Sequence, residues 1–250
     1  MGLLFSSFNN VLKADEEITL KICGYNVSFE DSVKIEYALQ TTGISDYENI
    51  VMRTYESMKD YDDNKGYTLT YLENREIGGK VYSIFIDSHI AAKQMSTDFY
   101  TYASYTSSDE HTYESDLVKY SILQYAKNMK GSSKSNEELN DVLVSMLEYG
   151  ARTQKYFDYK LDRLANDTYY EIKLDGGHLD DFSNHGLFKE NEEINIYVNG
   201  DEFIYWINKD TSEIYSYNRE ETIKLTSDLS LKAIIERPYS NLLEYSLIND

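Results

Sequence analysis

The sequence predicts an α+β fold: an antiparallel β-sandwich-like sheet covered by an αα-hairpin, followed by a small all-β module. Three observations predict it. Apolar residues alternate with polar ones from Ile18 to about Tyr105, the period-two signature of half-buried strands. Two segments between 116 and 160 switch to spacings of three and four, and from Tyr169 to Ile235 the alternation returns. The expected organisation is an N-terminal arm or short helix at 1–16, an α+β domain at 17–166 and a small β-repeat-like domain at 167–250. Within the α+β domain the strands fall in 17–115 and the helix pair in 116–160.

Taken in order, residues 1–16 carry Leu3, Leu4, Phe5, Phe8, Val11 and Leu12 at helical spacing, a pattern for a short amphipathic helix or for an arm docking on a neighbour. Ile18, Leu20 and Ile22, then Val33, Ile35, Tyr37 and Leu39, open the strands, which continue through 50–55, 67–72, 81–87 and 99–105. Gly78 and Gly79 between two such runs predict a tight hairpin. The segment 115–130 reads as a helix ending at Gly131, and the short linker after it forces an antiparallel neighbour. That neighbour is the longest helical stretch, 135–166, with Leu139, Val142, Leu143, Met146, Gly150, Thr153 and Phe157 along one face and Ser135 with Glu138 as a capping box. Strands then follow at 169–174, 193–198, 202–207, 213–217, 222–225 and 229–235.

Composition narrows the partners. The 250 residues carry 44 acidic against 24 basic side chains, a formal charge of −20 that opposes binding to nucleic acid or anionic membranes. No run approaches the ~18 apolar residues that span a bilayer, so no membrane insertion is expected. The single cysteine, Cys23, excludes an intrachain disulfide and a Cys-based zinc site. The apolar start lacks the basic leading region of a signal peptide. The chain is therefore expected to be part of a longer secreted protein or to leave its cell by another route, such as inside a phage particle.

Two resemblances add to this reading. Tyr149, Gly150, Ala151, Gln154, Tyr156, Phe157, Tyr159, Asp162, Leu164, Ala165 and Asn166 form a YGAxxQxYFxYxxDxLAN pattern. It resembles the ending of an uncharacterised module of secreted and surface proteins of Gram-positive gut bacteria. Residues 20–39 and 90–103 resemble that module's opening strands and its middle, so the similarity spans 17–166. It implies an extracellular or cell-surface setting and carries no known activity. In the second half, Gly176–Gly177, Gly186 with Phe188, Phe203 with Trp206, and Leu229, Leu231 and Ala233 resemble a divergent internalin-type B-repeat over 175–235. That likeness implies a small all-β module with Trp206 in its core.

Candidate chemistry is sparse. Asp60, Asp62 and Asn64 begin like a calcium loop, but Gly66 comes one position late and Tyr71 stands where an EF-hand needs its closing Glu. A solvated acidic hairpin loop is the simpler reading. His178 and His185 with Asp175, Asp180 and Asp181 offer imidazole and carboxylate donors at a spacing that fits no established metal signature. His89 and His111 are isolated. No G-x-S-x-G elbow, P-loop or dinucleotide glycine pattern occurs. Among 44 acids, any glycosidase-like pair can be picked at will. We therefore expect no catalytic residues, cofactor or metal, and a non-catalytic extracellular adhesion or structural module that contacts a protein or glycan. The candidate contact residues are Tyr205, Tyr215 and Tyr217, with Leu3, Leu4, Phe5 and Phe8. The alternative is a phage virion protein, a head decoration or tail appendage, that docks through its N-terminal arm.

Overall fold

The structure is a computed structural model that describes residues 17–29, 32–44, 46–130, 132, 135–200 and 202–235. The expected arm, with Leu3, Leu4, Phe5 and Phe8, lies outside the described residues, as does Gly131. The protein is mostly β, built from several antiparallel sheets and few helices. Its contacts divide it into two compact units, 1–140 and 141–250.

In the first unit, β1 (Thr19–Ser28), β2 (Lys34–Thr42), β6 (Lys80–Asp87) and β5 (Thr70–Ile77) form one sheet in that spatial order. The other sheet runs β4 (Tyr67–Thr68), β3 (Ile50–Tyr55), β7 (Phe99–Thr106) and β8 (Thr112–Glu114), with β9 (Val118–Tyr120) also paired to β7. The alternation dictates the packing. Ile35, Tyr37 and Leu39 turn one face of β2 inward, while Met52 on β3 and Phe99 and Ala103 on β7 do the same from the other sheet. The inner faces meet where the Thr101 hydroxyl lies within hydrogen-bond distance of Tyr37 Oη, at 3.2 Å, and of Thr54 Oγ1, at 2.8 Å. They meet again where the Tyr25 and Tyr120 rings lie 3.5 Å apart. Gly78 and Gly79 both adopt positive φ, as the two-residue β5–β6 hairpin requires.

The first helical segment is shorter than its sequence suggests. Residues 118–120 are not helical but pair with β7, Phe99 opposite Tyr120 and Thr101 opposite Val118. The helix α2 (Ile122–Lys130) starts only after Ser121, whose hydroxyl caps it by accepting from the Gln124 amide at 3.0 Å. A further short helix, α1 (Met58–Asp62), interrupts the strands after β3.

The long helix α3 (Glu137–Tyr156) is capped by Asn136, which accepts from the Leu139 amide at 2.8 Å. The cap thus falls one residue after Ser135, with Leu139 in place of the Glu that a capping box needs, and Ser135 instead donates to Asn140 Oδ1. The buried stripe is Leu143, Met146, Gly150, Ala151 and Gln154, while Val142 and Phe157, expected on the same face, stand exposed at its margins. The helix ends ten residues before Asn166, because Asp158 and Lys160 take positive φ and turn the chain back. Gln154, fully buried, holds that turn. Its amide donates to the Arg163 and Lys160 carbonyls and its Oε1 accepts from the Ala165 amide at 2.8 Å.

The second unit continues with β10 (Tyr169–Asp175), β12 (His185–Lys189), β14 (Phe203–Asn208), β15 (Ile214–Ser216) and β17 (Leu229–Ile235), in the spatial order β12-β10-β17-β14-β15. The β10–β17 pair is parallel. A three-stranded sheet of β11 (His178–Leu179), β13 (Glu193–Tyr197) and β16 (Glu220–Lys224) supplies the other wall. Their common core gathers Ile172, Leu174, Leu179, Ile194, Ile196, Ile223, Leu225 and Leu231 around Trp206, which is fully buried. Each such aliphatic side chain contributes roughly 1.5–3 kcal/mol of transfer free energy. Gly177 has to be glycine, because a Cβ there would run into the Trp206 ring and sit 2.7 Å from the Tyr197 carbonyl.

Candidate functional site

The three tyrosines of the second unit lie at the β14–β15 end of its larger sheet. Trp206 pairs with Ser216, so both point to the core side, and the register then shifts by one residue so that Ile207 lies opposite Ile214. Tyr205 and Tyr217 meet there edge to face, with ring centroids 6.1 Å apart. Tyr217 is 70% exposed, Tyr215 40% and Ile214 48%. Burial of part of its ring raises the Tyr215 phenol above its ordinary value. The opposite end of the same sheet is occupied differently. The loop after α3 is fixed to it by the Arg163 guanidinium, which donates to the Leu187 carbonyl at 2.9 Å, by the Tyr169 hydroxyl on the Leu164 carbonyl, and by the Lys189–Asp167 ion pair at 2.6 Å. One end of the face is therefore covered from within the unit, and the tyrosine end is open.

The YGAxxQxYFxYxxDxLAN pattern of residues 149–166 sorts into two groups. Gly150, Ala151, Gln154 and Ala165 are buried and build the end of α3 and its return loop, while Glu148 ties Arg152 and Asn166 together across it at 2.9 and 2.6 Å. Tyr149, Tyr156 and Phe157 are exposed, the last two stacked edge to face at 4.9 Å.

The residues considered for metal binding have other engagements. Asp60 accepts from its helix-capping partner Ser57 at 2.6 Å, and Asn64 Oδ1 accepts from Tyr55 at 3.3 Å, so two of the three would-be calcium ligands serve the α1 turn. In the second unit, Asp180 accepts from the Tyr197 hydroxyl at 2.7 Å, Asp181 closes a turn onto Ser183, and Asp175 pairs with Lys209 at 3.2 Å. His178 stacks on Tyr197 and lies tilted against Phe182, its ring nitrogens 3.0 Å from the Leu179 carbonyl and 3.1 Å from Asn199 Oδ1. Among the described residues no three His, Cys, Asp or Glu side chains are grouped to hold a metal ion. No described helix is long and apolar enough to cross a membrane.

One cluster could not be seen in the sequence. Asp87, at the end of β6, has no exposed surface, and it accepts from the Tyr67 hydroxyl at 2.8 Å and from the His89 amide at 3.0 Å. The His89 ring, isolated in sequence, comes within 3.7 Å of the same carboxylate and lies edge to face with Tyr67 at 5.2 Å. Burial pushes the Asp87 carboxyl up, and burial together with the Asp87 charge does the same to Tyr67. Chemically this is a carboxylate closing an Asx turn, with an imidazole too far for a direct hydrogen bond. Among the described residues no serine, threonine or cysteine is bonded to it in the manner of an activated nucleophile. Comparison with family models, with curated proteins and with solved structures finds no match.

Proposed function

We propose that the chain is a non-catalytic interaction module that works in an extracellular or cell-surface setting and contacts a protein or glycan partner. The observation that carries this reading is the open tyrosine end of the second unit. A sheet whose core side is closed around Trp206 leaves Tyr205, Tyr215, Tyr217 and Ile214 outside, where they add nothing to that core. Large rings that join an apolar body to a polar tip suit contact surfaces, because they bury much area at little conformational cost. The likeness of 149–166 to a module of Gram-positive surface proteins supports the setting. The net charge of −20 supports a partner that is neither nucleic acid nor an anionic membrane.

With this goes the finer architecture, an α+β domain whose helix pair covers a sandwich-like sheet, supported in part by α2 lying against β1 and by Phe29 packing on Tyr125 at 5.8 Å. The virion reading depends on Leu3, Leu4, Phe5 and Phe8, outside the described residues, and no described feature favours it.

The test is retention of purified Gram-positive surface proteins and wall glycans on immobilised chain, with Tyr217→Ala and Tyr205→Ala in parallel. We expect retention that falls about tenfold in either variant, the scale of a single aromatic anchor, with melting temperatures unchanged for the exposed Tyr217. Equal retention by wild type and both variants overturns the assignment to this face.

A further inference from the structure

The sheet β1-β2-β6-β5 has a second face, turned away from the Tyr37 core, and that face is hollow. In register across it lie Gly24, Ala38 and Ile84, three successive neighbours of which two have almost no side chain. Beside them stand Asn26 opposite Glu36, and Arg75 opposite Tyr82. Arg75 reaches from the edge strand β5 across β6 to Glu36 on β2, Nη1 to Oε2 at 3.3 Å, while also holding Glu73 at 2.7 Å. Its guanidinium spans above Ile84, whose side chain is 2% exposed although it points away from the main core. What remains is a concavity of about 380 Å³, floored by Gly24, Ala38 and Ile84 and rimmed by Asn26, Glu36, Arg75 and Tyr82. A Cβ built on Gly24 would meet nothing within 4 Å, so the space above it is empty.

Small-molecule sites have this form: a concavity of roughly 300–1,000 Å³, an apolar floor and a few convergent polar groups. The polar groups decide the ligand. Arg75 supplies donors, Glu36 acceptors, and the Asn26 amide and Tyr82 hydroxyl both, and the last two have no side-chain hydrogen-bond partner among the described residues. An anionic ligand would face Glu36 and Glu73 against one guanidinium, on a chain of net charge −20. A cationic ligand would have to displace Arg75 from both carboxylates. A neutral ring with an apolar face and a rim of hydroxyls meets neither obstacle. It sets its face on Ala38 and the Tyr82 side chain, beside the Arg75 bridge that covers Ile84, and its hydroxyls on Asn26, Glu36 and Arg75.

We propose that this concavity on the outer face of β1-β2-β6-β5 is a binding site for a neutral pyranose, free or as the end of a glycan. The site lies wholly in the first unit and does not depend on the tyrosine face of the second. The full chain is titrated with glucose, galactose, mannose, N-acetylglucosamine and N-acetylgalactosamine, with glucuronate and glucosamine as the charged counterparts. Two readouts are followed: the Ala38 and Ile84 methyl resonances, and the alkylation rate of Cys23, the only thiol, which sits on the rim.

At least one neutral sugar is expected to shift both methyls and to slow Cys23 alkylation, with both charged sugars at least tenfold weaker. Gly24→Val fills the empty space without a backbone penalty, and Asn26→Ala removes an exposed rim amide that holds nothing in place. Each is expected to weaken binding about tenfold with an unchanged melting temperature. Should Gly24→Val not fold, Asn26→Ala and the charged sugars still decide. Tyr217→Ala is expected to leave sugar binding untouched, which separates this site from the contact face. The proposal is overturned if no neutral sugar moves either readout, if the charged sugars bind as well, or if Asn26→Ala and a folded Gly24→Val bind like wild type.

Discussion

At the scale of single residues, the sequence hides what burial decides. Asp87 is one of 44 acidic side chains, and nothing around it in FIDSHI marks it as buried from solvent. Its burial follows from register, because Asp87 lies opposite Ile35 and shares the inward face of β6 with Phe85 and Ser83. The consequence is a pH dependence of known sign. Its folded carboxyl titrates above the unfolded value of about 3.9. Between those two values the folded state binds more protons than the unfolded one, so stability falls as pH rises through the window and stays lower above it. Asp87→Asn keeps an acceptor for the His89 amide and removes the charge. We expect the variant to gain stability at neutral pH, on the order of 1 kcal/mol, and to lose the Asp87 share of the acid-side slope, measured as urea midpoints from pH 3 to pH 7. A variant less stable than wild type at neutral pH would show that the charge, facing Tyr67 and His89, is held by more than it costs. Tyrosine was equally ambiguous in the sequence, and both of its uses occur: Tyr37, Tyr55 and Tyr120 are core, while Tyr149, Tyr156 and Tyr217 are surface.

At the scale of elements, long periodic segments were legible and their ends were not. The run 50–55 matches β3 throughout, and 229–235 matches β17, because period two is set by side chains that alternate across the sheet. The helical pattern begins at 115, seven residues before the helix itself. Tyr120 fits a helical stripe with Leu117 as well as it fits a strand, and only the pairing of 118–120 with β7 decides between them. Short pairings such as β11 and β12 carry too few residues for any period. The end of α3 is where sequence pattern and physical cause coincide. The Gln of YGAxxQ and the Ala of LAN meet in the Gln154–Ala165 bond, so the motif encodes a helix stop and a return loop. Gln154→Ala would strand the Ala165 amide and the Arg163 carbonyl in a site with no water access. It should cost about 2–3 kcal/mol by the usual penalty for unmade buried hydrogen bonds, read as a lower urea midpoint. Gln154→Glu, which keeps the acceptor for Ala165 but loses both amide donors, should do no better. A Gln154→Ala loss below about 0.5 kcal/mol would mean that the loop holds itself through Tyr169 and Arg163.

At the scale of the whole chain, the dominant legible quantity was charge, and it bears on stability as well as on partners. Surface ion pairs such as Lys65 with Asp63 and Lys224 with Glu193 are exposed and worth little each against 44 acids and 24 bases. An excess of 20 negative charges therefore repels itself more in the compact state than in the expanded one. Salt shortens the reach of that repulsion, from about 10 Å at 0.1 M to about 3 Å at 1 M. The urea midpoint at neutral pH should accordingly rise with sodium chloride across that range. The buried Asp87 makes a control, since a desolvated carboxylate is screened far less than surface charge. Asp87→Asn should shift the midpoint at every salt concentration and leave the salt slope as it is in wild type. A slope that flattens in the variant would place the salt-sensitive repulsion at that one buried acid instead of across the acidic surface.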